Sequence, residues 1–364
     1  MEQSFKNKVI FISGGTGSWG QELTQQLLAS SPSKIIIYSR GEHKQVDMKR
    51  KFHEHKNIHY VIGDVRDKER LLSITKGVDI IFHLAALKHV PVCEENPNES
   101  VLTNILGTQN IIDVALANNV ERVIDVSTDK AVDPFNIYGT CKAVGEKLII
   151  AANMQSKSTT FVCIRGGNVL GTNGSVVPLF IEQIKKADLV TITDPDMTRY
   201  IMRLAEAVGL LITASVHAKG GEVFVMKMPG ITVQTIADSL IQVFGSENTK
   251  QKIVGSRPGE KKHELLVSQY ESERCHILNE SYFVILPMID TGKDYTEYTK
   301  LPKIEQSFFA SNNTNMLSAQ EFVETLRKDG WFNHIEQTKT AIQELEQLSK
   351  DEIIKYFLHQ QWAK

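Results

Sequence analysis

Tyr138 and Lys142 stand four residues apart in Tyr138-Gly139-Thr140-Cys141-Lys142. On a helix that spacing puts both on one face, where the ammonium favours the ionised phenol. A phenol titrates near pH ~10, so taking a proton from an alcohol at neutral pH requires such help. The pair is therefore a candidate base for oxidising a hydroxyl. Lysine at this spacing from tyrosine is common and usually inert, and what raises it here is Ser127-Thr128-Asp129-Lys130 a short way upstream. Asp129 and Lys130 set an acid and a base type side by side. Alone they would read as a surface turn pair. Beside Thr128 and the tyrosine–lysine pair they suggest proton transfers beyond one oxidation, each contributing about 10²–10⁴-fold when positioned. Thr128, Asp129, Lys130, Tyr138 and Lys142 are the catalytic candidates.

Gly14, Gly17 and Gly20 form a G-x-x-G-x-x-G turn between the apolar run at Lys8 to Ile12 and a helix candidate. Glycine permits the tight turn and lets backbone N–H groups and a helix N-terminus approach a pyrophosphate without a Cβ in the way. Gly14, Thr16, Gly17, Ser18, Trp19 and Gly20 are accordingly cofactor candidates. About twenty residues on, NAD enzymes place an acid on the ribose 2′-hydroxyl. This chain has Tyr38-Ser39-Arg40 there, with Lys44 nearby. An arginine fork matches phosphate oxygens in pairs, so Ser39, Arg40 and Lys44 favour NADP over NAD. On charge alone the basic cluster from Arg40 to Lys51 reads equally well as a solvated loop. In Gly63-Asp64-Val65, Asp64 can accept from an adenine amino group while the next backbone pairs with the ring.

These residues need a frame that gathers them at one edge. Short β-branched runs at Val9 to Ile12, Lys34 to Tyr38, His59 to Ile62, Val78 to His83, Arg122 to Val126 and Phe161 to Ile164 alternate with amphipathic segments. Runs apolar on both faces suit a parallel sheet covered on both sides, whose strand carboxyl ends line one ligand crevice. The expected fold is α/β, a doubly wound parallel Rossmann sheet over 1–165. A smaller α/β substrate domain is expected over 166–333, with some segments returning to the first, and a helical tail over 334–364. In the second region Ala205 to Val216 reads as a helix and Val223 to Met226 as a strand. Capping boxes at Ser318/Glu321 and Ser349/Glu352 open helices expected to run to about Leu326 and about His359. With 41% apolar and 23% charged residues and a net charge of −2, the composition is that of an ordinary globular protein with no electrostatic pull toward nucleic acid. Four scattered cysteines suggest neither a disulfide framework nor a metal site. No signal pattern opens the chain and no run approaches the ~20 apolar residues of a membrane span. A cytoplasmic protein without membrane partners, assembled as a homo-oligomer, is expected.

Taken together, Gly14 to Gly20, Tyr138/Lys142 and Ser-Thr-Asp-Lys-Ala at 127–131 resemble the extended short-chain dehydrogenase/reductase family. Within it the likeness is to the soluble UDP-N-acetylglucosamine 4,6-dehydratases, notably the configuration-inverting ones that start pseudaminic acid synthesis. Ala85 to Pro91, Thr103-Asn104, Gly167-Asn168-Val169, Gly174 to Pro178, Met197-Thr198-Arg199 and Arg257 to Lys261 extend it over nearly the whole chain. The resemblance implies dinucleotide contacts from Leu84, Ala85, Ala86, Lys88, Thr103 and Asn104. It implies substrate contacts from Lys88, Asn168, Val177, Arg199, Arg257 and Glu260, the arginines meeting a diphosphate. It further implies internal redox on UDP-N-acetylglucosamine: Tyr138 takes the O4 proton as hydride leaves C4 for NADP, and Lys130 takes the C5 proton. Asp129 then protonates the departing C6 hydroxyl, and the hydride returns at C6. A C5-retaining dehydratase or a C4-epimerase is the neighbouring alternative, the latter with no use for Asp129 and Lys130. A non-catalytic NADP-binding protein is the distant one. Two positions depart from the family pattern: Gly166, where tyrosine is common, and Asn173, where inverting relatives carry arginine.

Overall fold

Six strands, β1 (Val9–Ser13), β2 (Lys34–Ser39), β3 (Ile58–Ile62), β4 (Ile80–His83), β5 (Arg122–Thr128) and β6 (Thr160–Gly166), pair in parallel in the order β3-β2-β1-β4-β5-β6. That order reverses direction between β1 and β4, which opens a crevice beyond the strand carboxyl ends. The computed structural model describes residues 2–156, 158–171, 175–256 and 259–332. Residues Met1–Leu317 make one compact unit and Ser318–Lys364 a second.

The strands form because their runs are apolar on both faces. Ile10–Ile12, Ile35–Ile37, Ile80–Phe82 and Phe161–Ile164 are all buried, as a parallel sheet with helices on both sides requires. Helix Ser18–Leu28 packs along Leu204–His217, and Gly107–Ala117 along Ile137–Ala152. Strand Val223–Met226 then adds in parallel to β6, and the hairpin Cys275–Ile277/Tyr282–Ile285 adds antiparallel outside it, giving nine strands. The later chain is thus interleaved with the first sheet.

The expected helix at 205–216 forms one residue longer at each end, and the strand at Val223 to Met226 forms at those bounds. Two long helices had no counterpart in the reading of the sequence, Val176–Ala187 and Val233–Phe244. Both are rich in valine and isoleucine, which read as strand, and Pro178 falls in the first turn, where its missing N–H costs nothing. In the second unit, helix Ala319–Lys328 opens on Ser318, whose hydroxyl accepts from Glu321 N at 3.3 Å while the Glu321 carboxylate accepts from Ser318 N at 2.8 Å. Arg257, Asn173 and the helix expected from Ser349 lie outside the described residues.

Candidate active site

At the carboxyl ends of β1 to β6 lies a cleft of about 1030 Å³. Its first wall is the turn after β1. Gly14 has φ +68°, and a Cβ there would meet the Ala85 backbone at 2.8 Å, so the turn and the loop after β4 are pressed together. A Cβ on Gly20 would fall 2.3 Å from Gly15 O. Gly17 is different: a Cβ there would touch only Gly14 O, at 3.3 Å, and would otherwise enter the cleft. Gly17 also precedes helix Ser18–Leu28, whose N-terminus has no side-chain cap. Orphan N–H groups and a positive helix end beside open space are the features that hold a pyrophosphate, so these residues fit a dinucleotide.

Toward the end of β2 the cleft is walled by Ser39, Arg40, Lys44, Asp64 and Val65. Asp64 is already engaged by arginine. Its carboxylate accepts from Arg66 Nε at 3.0 Å, Nη2 at 2.7 Å and the Arg66 backbone at 3.0 Å, and Arg40 Nη1 stands 3.6 Å away. Burial raises this carboxyl, but the Arg66 bonds outweigh it and hold it below its ordinary value. The Arg40 guanidinium is therefore already beside an anion, although half of it remains exposed.

The reactive end is built on β5 and the helix that follows. Asp129–Ala131 makes one tight turn at the end of β5. Helix Ile137–Ala152 then starts under the Asn136 cap, whose side chain accepts from Gly139 N at 2.8 Å, and carries Tyr138 and Lys142 toward the cleft. Thr128 Oγ1 donates to Asp129 Oδ1 at 2.8 Å, and Lys130 Nζ donates to the same oxygen at 3.0 Å. Burial works against the Lys130 charge, yet Asp129 and Glu264 raise its pKa above the usual lysine value. Lys142 Nζ donates to both oxygens of Asp125, at 3.2 and 3.1 Å, in a fully enclosed pair. Burial raises the Tyr138 phenol, with Lys142 and Lys130 pulling the other way. Below the site, Ser13, His83, Asp125 and Cys163 lie level across four adjacent strands. Ser13 Oγ and His83 Nδ1 are 2.7 Å apart, and burial drops the imidazole to about 4.

Of the expected site residues, most are brought to this one cleft: Gly14, Thr16, Gly17, Ser18, Trp19, Gly20, Leu84, Ala85, Ala86, Lys88 and Thr103, together with Asn168, Arg199 and Glu260. Lys88 is lowered by desolvation and then by Lys130 and Lys44. Asn104 and Val177 are not among the residues that line this cleft. The Asn104 amide exchanges hydrogen bonds of 2.9 Å with both Leu87 N and Leu87 O, so it shapes the loop after β4 and does not line the cleft. Val177 is buried in the first turn of its helix, away from the cleft lining. Asp125, His83, Asn136 and Glu264 were not singled out from the sequence. The signal for the first was present: one acid inside the apolar run of β5 demands a buried partner. No cluster of potential metal ligands occurs among the described residues.

The model of the polysaccharide biosynthesis protein family matches residues 10–286. An uncharacterized membrane protein of Methanocaldococcus jannaschii is 44% identical over 299 residues, 80% of this chain and 89% of that one. A UDP-glucose 4-epimerase of Rickettsia typhi is 40% identical over 333 residues, 88% of this chain and 96% of that one. The solved structure of Pen from Bacillus thuringiensis matches with a TM-score of 0.82 at 38% identity, over 89% of this chain and 99% of that one. No helix among the described residues is long and apolar enough to cross a membrane.

Proposed function

The chain belongs to the polysaccharide biosynthesis protein family, and we propose that within it the protein is a 4,6-dehydratase of UDP-N-acetylglucosamine that works through bound NADP. The observation that carries this reading is the Lys130–Asp129 pair, 3.0 Å from Nζ to Oδ1, in the same cleft as Tyr138 and Lys142. NADP is favoured because β2 ends on Ser39 and is followed by Arg40, with no acid in the place of the ribose contact.

A dinucleotide held by the glycine turn after β1 would supply the hydride acceptor and donor for an internal redox between C4 and C6 of the sugar. Everything else falls to side chains. Tyr138 accepts the O4 proton, with Lys142 on the same helical face opposing the phenol's desolvation. The ketone left at C4 makes the C5 proton acidic. Moving one proton from Lys130 Nζ to Asp129 Oδ1 turns the ion pair into an amine and a carboxylic acid, which are the base and the acid that elimination needs. Lys130 takes the C5 proton, the C6–O bond breaks, and Asp129 gives its proton to the departing hydroxyl as water. The ion pair is then restored, and once hydride has returned at C6 the enolate takes a solvent-exchangeable proton at C5 from the Tyr138 phenol, which goes back to its ionised form. Arg199 and Glu260, in the same cleft, are assigned to the nucleotide diphosphate and ribose, with Arg257 three residues before Glu260.

A C4-epimerase is the second reading, favoured by the name of the Rickettsia relative. It leaves Asp129 and Lys130 idle. Protein incubated with UDP-N-acetylglucosamine in deuterated water, without added reductant, is expected to give a product lighter by one water and deuterated at C5. Lys130→Ala is expected to keep dinucleotide binding and lose water elimination by at least about 100-fold. A C4 epimer of unchanged mass would replace the dehydratase reading with the epimerase one.

A further inference from the structure

Glu264 is 3% exposed, yet it borders the cleft. Its Oε1 lies 3.6 Å from Lys130 Nζ and 3.9 Å from Arg199 Nε. Its Oε2 is enclosed and accepts no hydrogen bond among the described residues, as is true of Asp129 Oδ2. A buried carboxylate needs cations or donors, and the groups that face Glu264 are those of the reactive loop and the substrate wall. Its backbone is fixed independently: Glu264 N donates to Ser311 Oγ at 2.9 Å and Glu264 O accepts from Ser311 N at 2.8 Å. The side chain is thus held out toward Lys130 by a rigid support.

The segment before it is joined to the same loop. Asn136, the cap of the helix carrying Tyr138 and Lys142, donates through Nδ2 to Gly259 O at 3.1 Å. Lys261 Nζ donates to Val132 O at 2.5 Å. Three contacts, from residues 259, 261 and 264, therefore attach one stretch of chain to residues 130–136.

We propose that Glu264 is a positioning residue for Lys130, reaching from the segment that carries Glu260 to hold the ammonium against Asp129. Lys130 then lies between two carboxylates, one from its own turn and one from the 259–264 segment, and docking of that segment sets the geometry of the reactive pair. The charged or titratable groups that face Lys130 are Asp129, Glu264, Arg199, Lys88, Tyr138 and Lys261. Of these, Glu264 is the one anion that does not belong to the 129–130 turn.

The activity part of the test rests on the dehydratase reading, whereas the titration part does not. Trace acetylation of the full-length protein over a pH series, read by peptide mass spectrometry, gives the midpoint at which Lys130 becomes a free amine. In Glu264→Gln that midpoint is expected to move toward acid by roughly one pH unit, because a carboxylate at this distance favours the ammonium. Other lysines remote from the cleft should not move. The acidic limb of the kcat profile for water loss should shift with it. Glu264→Asp, which keeps the charge but shortens the reach, should shift less in the same direction, and it carries the test if the glutamine variant does not fold. An unchanged Lys130 midpoint in the folded variant overturns the proposal. If the wild-type protein removes no water from a nucleotide sugar while the midpoint still moves, the dehydratase reading fails and the positioning role stands.

Discussion

His83 shows how far a single residue's state is set by its neighbours. It ends β4, fully enclosed between Ser13 Oγ at 2.7 Å and Thr108 Oγ1 at 3.2 Å. Burial first, with Lys142 adding to it and Asp125 opposing, lowers the imidazole from 6.5 to about 4. A depressed histidine value gives a definite sign. Above pH 6.5 neither folded nor unfolded chain is protonated there, and stability is intact. As pH falls from 6.5 toward about 4 the unfolded chain takes up a proton that the folded one refuses, so stability drops by up to about 3 kcal/mol. His83→Gln, which keeps a polar amide but does not titrate, is expected to flatten the fall of Tm across that window. An equal fall in the variant would place the acid sensitivity elsewhere. The neutral imidazole also matters to the site, because it adds no second cation beneath Lys142, and Asp125 is left to pair with that ammonium alone.

The glycine turn after β1 is an element in which Gly17 and Gly20 do separable work. Gly20 faces Gly15 O at 2.3 Å from where a Cβ would sit, a backbone contact that cannot yield cheaply, whereas the corresponding point on Gly17 looks into the cleft. Gly20→Ala is expected to destabilise the fold by about 1–3 kcal/mol through overpacking. Gly17→Ala should leave Tm nearly unchanged but weaken dinucleotide binding by about tenfold or more, because the added methyl occupies the pyrophosphate's approach. Calorimetric Tm and a binding titration of both variants check the pair, and equal effects on both readouts would contradict the division. This element was legible in the sequence because local geometry alone dictates it: strand, glycines, helix. Tyr138/Lys142 was legible for the same reason, being one helical turn. Glu264 was not, since it meets Lys130 from more than a hundred residues away, and no local pattern marks a carboxylate that a distant strand will aim. The Asn104 bonds to Leu87 were not legible either, because a buried asparagine serves a loop backbone as readily as a ligand. Helices Val176–Ala187 and Val233–Phe244 were hidden by β-branched residues whose strand preference yields to tertiary packing.

At the scale of the first unit, one guanidinium ties the sheet to the helix of Tyr138 and Lys142 and to the strand that leads out of Glu264. Arg165, at the end of β6, donates from Nε and Nη2 to Glu146 at 3.0 and 2.7 Å. Glu146 lies on the helix of Tyr138 and Lys142, and it also accepts from Ser127 Oγ at 2.5 Å. Arg165 further donates to Glu271 at 3.0 Å from each of Nη1 and Nη2, and to Leu266 O at 2.8 Å. Removing one member of such a buried network leaves charges uncompensated, which costs more than the network itself contributes. Arg165→Met is expected to lower stability by about 3–5 kcal/mol. It should also alter the acid response. Burial alone would raise the Glu271 carboxyl, but the charge and hydrogen bonds of Arg165 hold it down to about 2. Its contribution is therefore complete above the ordinary value of 4.5 and lost as pH falls from there toward about 2. Without Arg165 the folded value rises with burial, so the fall in Tm between pH 4.5 and about 2 should be shallower in the variant than in the wild type. A variant that is less stable at neutral pH yet keeps the full acid slope would mean that Glu271 is held down by its Ser268 contacts, and that the guanidinium joins these elements by packing and not by charge.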